Sequence, residues 1–415
     1  MSKKKLINSN IHIDNCGVGK FEYLLVFILL FVSGNPIAEL LGEWIHILFM
    51  VFLFLCATIR HKPVSNSVSI KWALIFIVIF LAQAVSVERV SFNADINFLA
   101  KLYSCFLLAL FLGEKFRYAY MKIMVILSLI SLPLFAINFI GIEFGGLSHS
   151  RYVSLILYNY IPVSQFIEMR NCGMFWEPGA FQGYLMLVPL LYIGNIKDFF
   201  CLYKKECIIL IAALLTTMST TGYLAFALLL SLVLFKNIKN ILAKFFLVGS
   251  VILVSLYAFE NFDFIGEKLL GQYENAKTIS HGEVSWSRMG AAQIDFYNIM
   301  RHPFVGNGFL MEQKYYGLGD LMAGAGNGFT GVINSFGIPF MLLFLYAVFR
   351  NAPSKSSYDK MIFLVIFLML LNGEYFLNYP FFWVVLFMIY PQSQGFSLAR
   401  NMNFRKRLVE AKKFV

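Results

Sequence analysis

Charge is scarce in this chain: 14% of its 415 residues are Asp, Glu, Lys or Arg, and the acidic ones are fewer, 23 against 34 basic. So few charges cannot cover a soluble domain of this size. With 59% hydrophobic residues and a mean hydropathy of +0.71, the chain reads as an integral membrane protein. Metal-ligand patterns are lacking, since the six Cys form no C-x-x-C pair and the six His have no zinc-ligand spacing. With Cys172 alone in an expected outer loop, no disulfide framework is implied. There is no G-x-x-x-x-G-K-[ST], no strand-associated G-x-G-x-x-G and no Asp-x-Asp, which disfavours an ATP-driven pump and a nucleotide-sugar enzyme. Repeats and low-complexity tracts are missing too.

What is present is a series of long apolar runs. Segments such as 24–32 and 73–82 are apolar on every face, as lipid-embedded helices must be, whereas barrel strands alternate. The expectation is an all-α polytopic membrane domain over 1–415. Runs long enough for a hydrocarbon core fall at 21–34, 36–59, 70–87, 97–112, 119–142, 178–194, 241–259 and 329–350. The runs 207–235 and 361–390 each hold a polar turn and read as two short helices, giving about 12 spans. The polar lead at 1–20 reads as a signal anchor rather than a cleaved leader.

The net charge of +11 is spread in small clusters between spans, which argues for topology rather than nucleic acid as its cause. On the twelve-span reading 25 of the 34 Lys/Arg lie on one side, so that side and both termini are expected to be cytoplasmic. Reading 207–235 as one long helix would reverse the later loops, against the charge rule. Two outer loops are long, 143–177 and 260–327, and long connections are usually functional. The second carries 5 Lys/Arg and 8 Asp/Glu, so it is no basic lipid-binding belt. The basic tail at 400–415 is expected to rest on an anionic cytoplasmic leaflet.

Two outer segments concentrate candidate chemistry, because charge at a membrane edge is costly unless it is used. In Arg170-Asn-Cys-Gly173-Met-Phe-Trp-Glu177-Pro178-Gly179, the proline suits the first turn of a helix and sets Glu177 at its mouth. Glu177 there either complements the helix dipole or serves chemistry. Arg170 either snorkels to headgroups or binds phosphate with its planar fork. Over 286–301, Trp286, Met289, Phe296, Tyr297 and Met300 share one helical face, and Arg288, Ala292, Asp295 and His302 fall on the other. That pattern predicts an amphipathic surface helix turning Arg288 toward a cleft, or simply a solvated face. His302-Pro303 ends the helix, Gly306 and Gly308 supply a turn, and Asn327-Gly328 is a turn or N-cap.

These residues carry a resemblance. Arg170-x-x-Gly173 leading to Phe175-Trp-Glu177-Pro-Gly, then Thr217-Met-Ser219-Thr-Thr-Gly222-Tyr, Ser287-Arg288, His302-Pro-Phe-x-Gly306-x-Gly308, and Asn327 with Gly337 resemble, in order, the Wzy-type O-antigen polymerases of the O-antigen ligase and polymerase superfamily. The resemblance implies an inner-membrane glycosyltransferase acting at the periplasmic face on undecaprenyl-pyrophosphate-linked repeats, without metal, nucleotide or other cofactor. It implies Arg288 at the donor pyrophosphate, Arg170 as a second phosphate clamp, and Glu177 as acceptor base or partner of an arginine. Arg151, Arg301, His302 and Asn327 are further substrate-binding candidates. The implied partners are the lipid-linked oligosaccharides, membrane lipid and a chain-length regulator protein, with no nucleic acid. Ligases of the superfamily look to have His before the late Asn, where this chain has Gly326, and Thr220 stands where many relatives show Arg after Ser. Besides the ligase, a lipid-linked oligosaccharide flippase is the alternative; it would be expected to carry charge deep within its spans.

Overall fold

A computed structural model describes residues 17–87, 91–149, 152–162, 169–240, 242–244, 288–310 and 327–388. The ninth expected span, Arg151, most of 260–327, Gly326 and the tail at 400–415 lie outside the described residues, as does the side chain of Arg288. The described chain is mostly helical. Six helices come first: α1 (Lys20–Val32), α2 (Pro36–Leu40), α3 (Trp44–Ile59), α4 (Ser67–Ser86), α5 (Phe92–Leu112) and α6 (Lys115–Phe139). A small antiparallel sheet follows, β1 (Leu147–His149), β2 (Tyr152–Ser154) and β3 (Asn159–Tyr160) in that order, a feature not foreseen within the 143–177 loop. Then come α7 (Pro178–Leu190), α8 (Ile196–Leu202), α9 (Lys204–Thr216), α10 (Thr220–Asn237), α11 (Arg288–Ile299), α12 (Gly328–Phe336), α13 (Ile338–Asn351) and α14 (Ser357–Gly373).

Helices α4, α5 and α6 are long and apolar enough to cross a membrane, and α7 with α8, bent by 51°, makes a fourth if taken as one span. Helices α3, α10 and α13 are apolar but shorter. The chain is thus compatible with a helical membrane protein.

Side-chain pairs give the helices their directions. Lys122, early in α6, pairs with Glu206 at the start of α9 at 2.6 Å, and Asn171 bridges Ser131 and Thr216 further along, so α6 and α9 run parallel. At the turn after α9, Met218 takes a φ of +46°, and Gly222 returns beside Leu214 while the Tyr223 hydroxyl donates to Leu215 O. The chain therefore folds back at 217–219. Helix α10 then runs antiparallel to α14, with Lys236 on Asp359 at 2.5 Å at one end and Thr221 against Gly373 at the other. Positive charge collects at the first of these ends. Arg60, after α3, lies over the Phe21 and Phe111 rings at 4.3 and 5.3 Å, and Lys115 is 3.8 Å from Glu22.

At the opposite end helices break. The expected span 36–59 divides into α2 and α3 at Gly42, and 329–350 divides at Gly337, with φ of +75° and +85°. The second limb of 361–390 is not an α-helix as far as residue 388; it is two 3-10 turns, Phe376–Asn378 and Phe381–Leu386. Pro380 accounts for part of this, since it lacks a donor and biases the residue before it away from helix. This irregular stretch is buried, around a Trp383 that is fully enclosed by Phe76, Phe98, Phe340 and Phe344. Its backbone groups must find partners there. Lys101 Nζ donates to Asn378 O at 3.1 Å, Cys105 Sγ to Pro380 O at 2.7 Å, Trp383 Nε1 to Leu377 O at 2.8 Å and Asn351 Nδ2 to Leu386 O at 2.7 Å. Phe381 N donates to Ser33 Oγ at 3.0 Å.

The 302–310 loop docks on the Gly337 break. Asn307 N donates to Asn334 O at 2.7 Å, Ile338 N to Pro303 O at 2.8 Å, and Gln83 Nε2 to both Val305 O and Ser335 O at 2.6 and 2.7 Å. Gly306 is required twice over, by its φ of +75° and because a Cβ would sit 2.4 Å from the Ser335 carbonyl. Gly42 has the same φ but open space around it. Gly42→Ala should therefore lower stability by about 1 kcal/mol, the left-handed penalty alone. Gly306→Ala should cost about 3 kcal/mol or more, the added backbone clash falling among the large-effect mechanisms. Thermal unfolding in detergent measures both, and equal shifts would remove the close-approach explanation.

Candidate functional site

The Arg170 segment is held by its neighbour. Asn171 N donates to Thr216 O at 3.0 Å, its Nδ2 to Thr216 Oγ1 at 2.9 Å, and its Oδ1 accepts from Gly173 N at 2.9 Å. Arg170 is thereby placed on the α9–α10 turn, where Nε donates to Thr217 O at 3.0 Å. Its two terminal nitrogens make no hydrogen bond among the described residues, so their four N–H donors remain for a ligand. Gly173, with φ of +56°, lets the chain pass 3.0 Å from the Phe181 ring, measured to where a Cβ would stand. The following Glu177 is the N-cap of α7, with extended backbone and no side-chain capping bond, and Pro178 opens the helix as its sequence position indicates.

The end of α14 is where the outer segments meet. Asn372 Oδ1 accepts from Asn327 Nδ2 at 2.7 Å, and Asn327 Oδ1 caps α12 by accepting from Phe329 N and Thr330 N at 3.0 and 3.1 Å. Gly328 lies so close that a Cβ there would be 2.3 Å from Glu374 O, and Gly373 touches Thr221 beside the Arg170 turn. Beyond Glu374, Tyr379 stacks on Trp176 with ring centroids 4.4 Å apart. Glu39, Glu177 and Glu374 all lie near enough to act electrostatically on the Tyr379 phenol. Residues far apart in the chain, 39, 177, 327 and 374, are thus brought near the end of α14 and the turn that follows it.

Helix α11 is oriented differently from a solvated amphipath. Asp295 is buried, accepting from Thr330 Oγ1 at 2.6 Å and from Asn334 Nδ2 at 2.8 Å. Asn298 and Asn307 both donate to Asn334 Oδ1, at 3.1 and 2.8 Å, and Arg301 Nη1 donates to Asn298 Oδ1 at 3.3 Å. The face bearing Ala291, Ile294 and Asp295 is buried, while Phe296, Tyr297 and Met300 are each about two-thirds exposed. At Asp295 the polar face is closed by α12, and the aromatic face points outward. Arg301 and half-buried His302 follow at the end of the helix, with the His302 carbonyl accepting from Gly306 N.

A cavity of about 260 Å³ opens beside this hub, lined by the 34–46 turn, Lys101, Trp176, Phe309 and the 375–379 turn. Glu39 and Glu43 are exposed at its rim, and Lys101, inside α5, is only 7% exposed. Sequence reasoning named none of Glu39, Glu43, Lys101 and Glu374 as site residues, and it put Asp295 on the polar face of its helix without assigning it a partner. The usable signal was a charge inside an apolar run, which Lys101 and Glu374 both show. Among the described residues no three His, Cys, Asp or Glu side chains gather as a metal site. Comparison with protein-family models, with curated proteins and with solved structures finds no match to this chain.

Because Asp295 accepts from two buried donors, Asp295→Ala should leave Thr330 and Asn334 short of partners and lower stability by about 2–4 kcal/mol. Denaturant unfolding in detergent tests this, and a change under about 0.5 kcal/mol would show that the network is not a structural anchor.

Proposed function

We propose that this protein is a twelve-span polysaccharide polymerase of the O-antigen type, a glycosyltransferase of the bacterial inner membrane with both termini cytoplasmic and its site facing the periplasm. The observation that carries the reading is the convergence near the α14 terminus: the Arg170 and Glu177 segment and the α12 start at Asn327 approach it, and α11, which begins at Arg288, is tied to α12 through Asp295, at the end opposite the basic cluster. A transferase needs that combination of cations for a leaving pyrophosphate and carboxylates for an acceptor proton.

In the reaction, an acceptor hydroxyl on the non-reducing sugar of one lipid-linked repeat attacks the anomeric carbon of the growing glycan. The new glycosidic bond forms as the bond to undecaprenyl pyrophosphate breaks. Glu177 takes the hydroxyl proton or orients an arginine, while Arg288 and Arg170 hold the charge that develops on the departing pyrophosphate. Neither a nucleotide nor a metal is called for.

A second reading has a specific observation behind it. Lys101 and Asp95 are buried within α5, and charge inside a span is what a lipid-linked oligosaccharide flippase would carry. The ligase reading differs only in its acceptor.

Purified protein in nanodiscs, given only undecaprenyl-pyrophosphate-linked repeats and a chelator, should release undecaprenyl pyrophosphate and build a ladder of longer lipid-linked glycans. A ladder that needs lipid A core would turn the conclusion to ligase, and lipid that crosses the bilayer unchanged would turn it to flippase. In the same assay Arg288→Ala should lower turnover about 10- to 150-fold, the kinetic equivalent of one charge-assisted hydrogen bond, with Arg288→Lys recovering only a small part. The topology has its own measurement: a periplasm-active reporter should work when fused after Gly282 and fail after Lys239.

A further inference from the structure

The cavity beside the hub contains a buried ammonium whose bonding is incomplete. Lys101 Nζ has three donors, and its one hydrogen bond among the described residues is to Asn378 O. The Phe309 ring lies 5.5 Å from it and the charges of Glu39 and Glu43 act on it from the rim. His46 Nδ1, on the same lining, is buried and has no hydrogen-bond partner among the described residues. Buried polar groups short of partners are uncommon and call for an explanation.

The walls limit what that is. The stacked Trp176 and Tyr379 form one side, polar at their edges and apolar on their faces. A space of about 260 Å³ has room for a hexose ring. Charge decides between neutral and acidic rings. Two carboxylates, Glu39 and Glu43, stand at the rim against the one ammonium of Lys101 among the described lining residues, so a carboxylate or phosphate entering here meets repulsion at the mouth. An uncharged pyranose meets none, and its hydroxyls both accept from Lys101 and donate to the rim carboxylates.

We propose that this cavity is the acceptor-sugar subsite: it takes one uncharged pyranose ring, with Lys101 as the floor donor, Trp176 and Tyr379 as the wall, and Glu39 and Glu43 as acceptors at the rim. The assignment rests on the transferase reading for the word acceptor, while the binding of the ring stands by itself. It also separates the labour of the site, the arginines serving pyrophosphate and this cavity the sugar that receives the chain.

The test uses the full-length protein in nanodiscs and a panel of methyl pyranosides: neutral hexosides, an N-acetylhexosaminide, a deoxyhexoside and a hexuronide. Intrinsic tryptophan fluorescence is titrated with each. At least one neutral glycoside should give a saturable change whose midpoint weakens at least tenfold in Lys101→Met, and which exceeds the response to the hexuronide. Glu39→Gln with Glu43→Gln, at exposed positions, should also weaken binding severalfold, and this pair decides the matter if Lys101→Met does not fold. No saturable response to any neutral glycoside, a preference for the hexuronide, or binding indifferent to these substitutions would overturn the subsite. Polymer formation without glycoside binding would overturn the subsite and leave the transferase, whereas glycoside binding without any ladder would overturn the transferase and leave the subsite.

Discussion

Satisfying backbone hydrogen bonds in an apolar interior is the constraint on which this architecture depends. Within hydrocarbon a helix meets that demand by itself, and every departure from helix must borrow partners. This chain departs repeatedly at one end of the bundle, and each time an amide, hydroxyl or ammonium side chain is supplied. Asn35 donates to Ile156 O and Met174 O, Gln83 to Val305 O and Ser335 O, Asn171 sits on the α9–α10 turn, and Lys101 reaches the 376–388 stretch. The opposite end needs few such devices. There the chain ends its helices among Lys and Arg, whose long stems lie on aromatic rings or reach carboxylates.

The same devices that make the breaks tolerable also make a site. A helix interrupted inside a protein exposes carbonyls and helix termini to whatever lies alongside, and it lets short polar residues from remote parts of the chain approach each other. Asn327 illustrates the economy of this: its oxygen caps α12 while its amide nitrogen reaches Asn372 at the end of α14. Asp295 does the equivalent for α11, holding that helix to α12 through Thr330 and Asn334. Glycines at 306, 328 and 337 are not loose hinges here. They are contact points where backbone lies against backbone with no room for a side chain.

Much of the site was legible in the sequence, but unevenly. Arg170, Glu177 and Pro178 stood out because charge next to a long apolar run is conspicuous and because proline marks a helix start. The structure places Glu177 at the mouth of α7 for that reason. The amphipathic pattern of 286–301 located a helix and its apolar face, but periodicity divides faces without saying that Asp295 meets α12. Asp295 turned out to be buried, and Phe296 and Tyr297 exposed. The 143–177 loop hid a small sheet, because strands of two or three residues are too short to show a period.

Composition and hydropathy by themselves pointed to helices long and apolar enough to cross a membrane, which the structure shows at α4, α5 and α6, because the transfer of side chains and backbone into hydrocarbon depends on local sequence alone. Local sequence also sufficed for the helix start at Pro178 and the cap at Asn327. Only the tertiary structure decided that spans break at Gly42 and Gly337, and that Glu39, Lys101, Trp176 and Tyr379 line one cavity. Those features depend on partners hundreds of residues away, and a hydrogen bond such as Lys101 to Asn378 leaves no periodic trace in either segment.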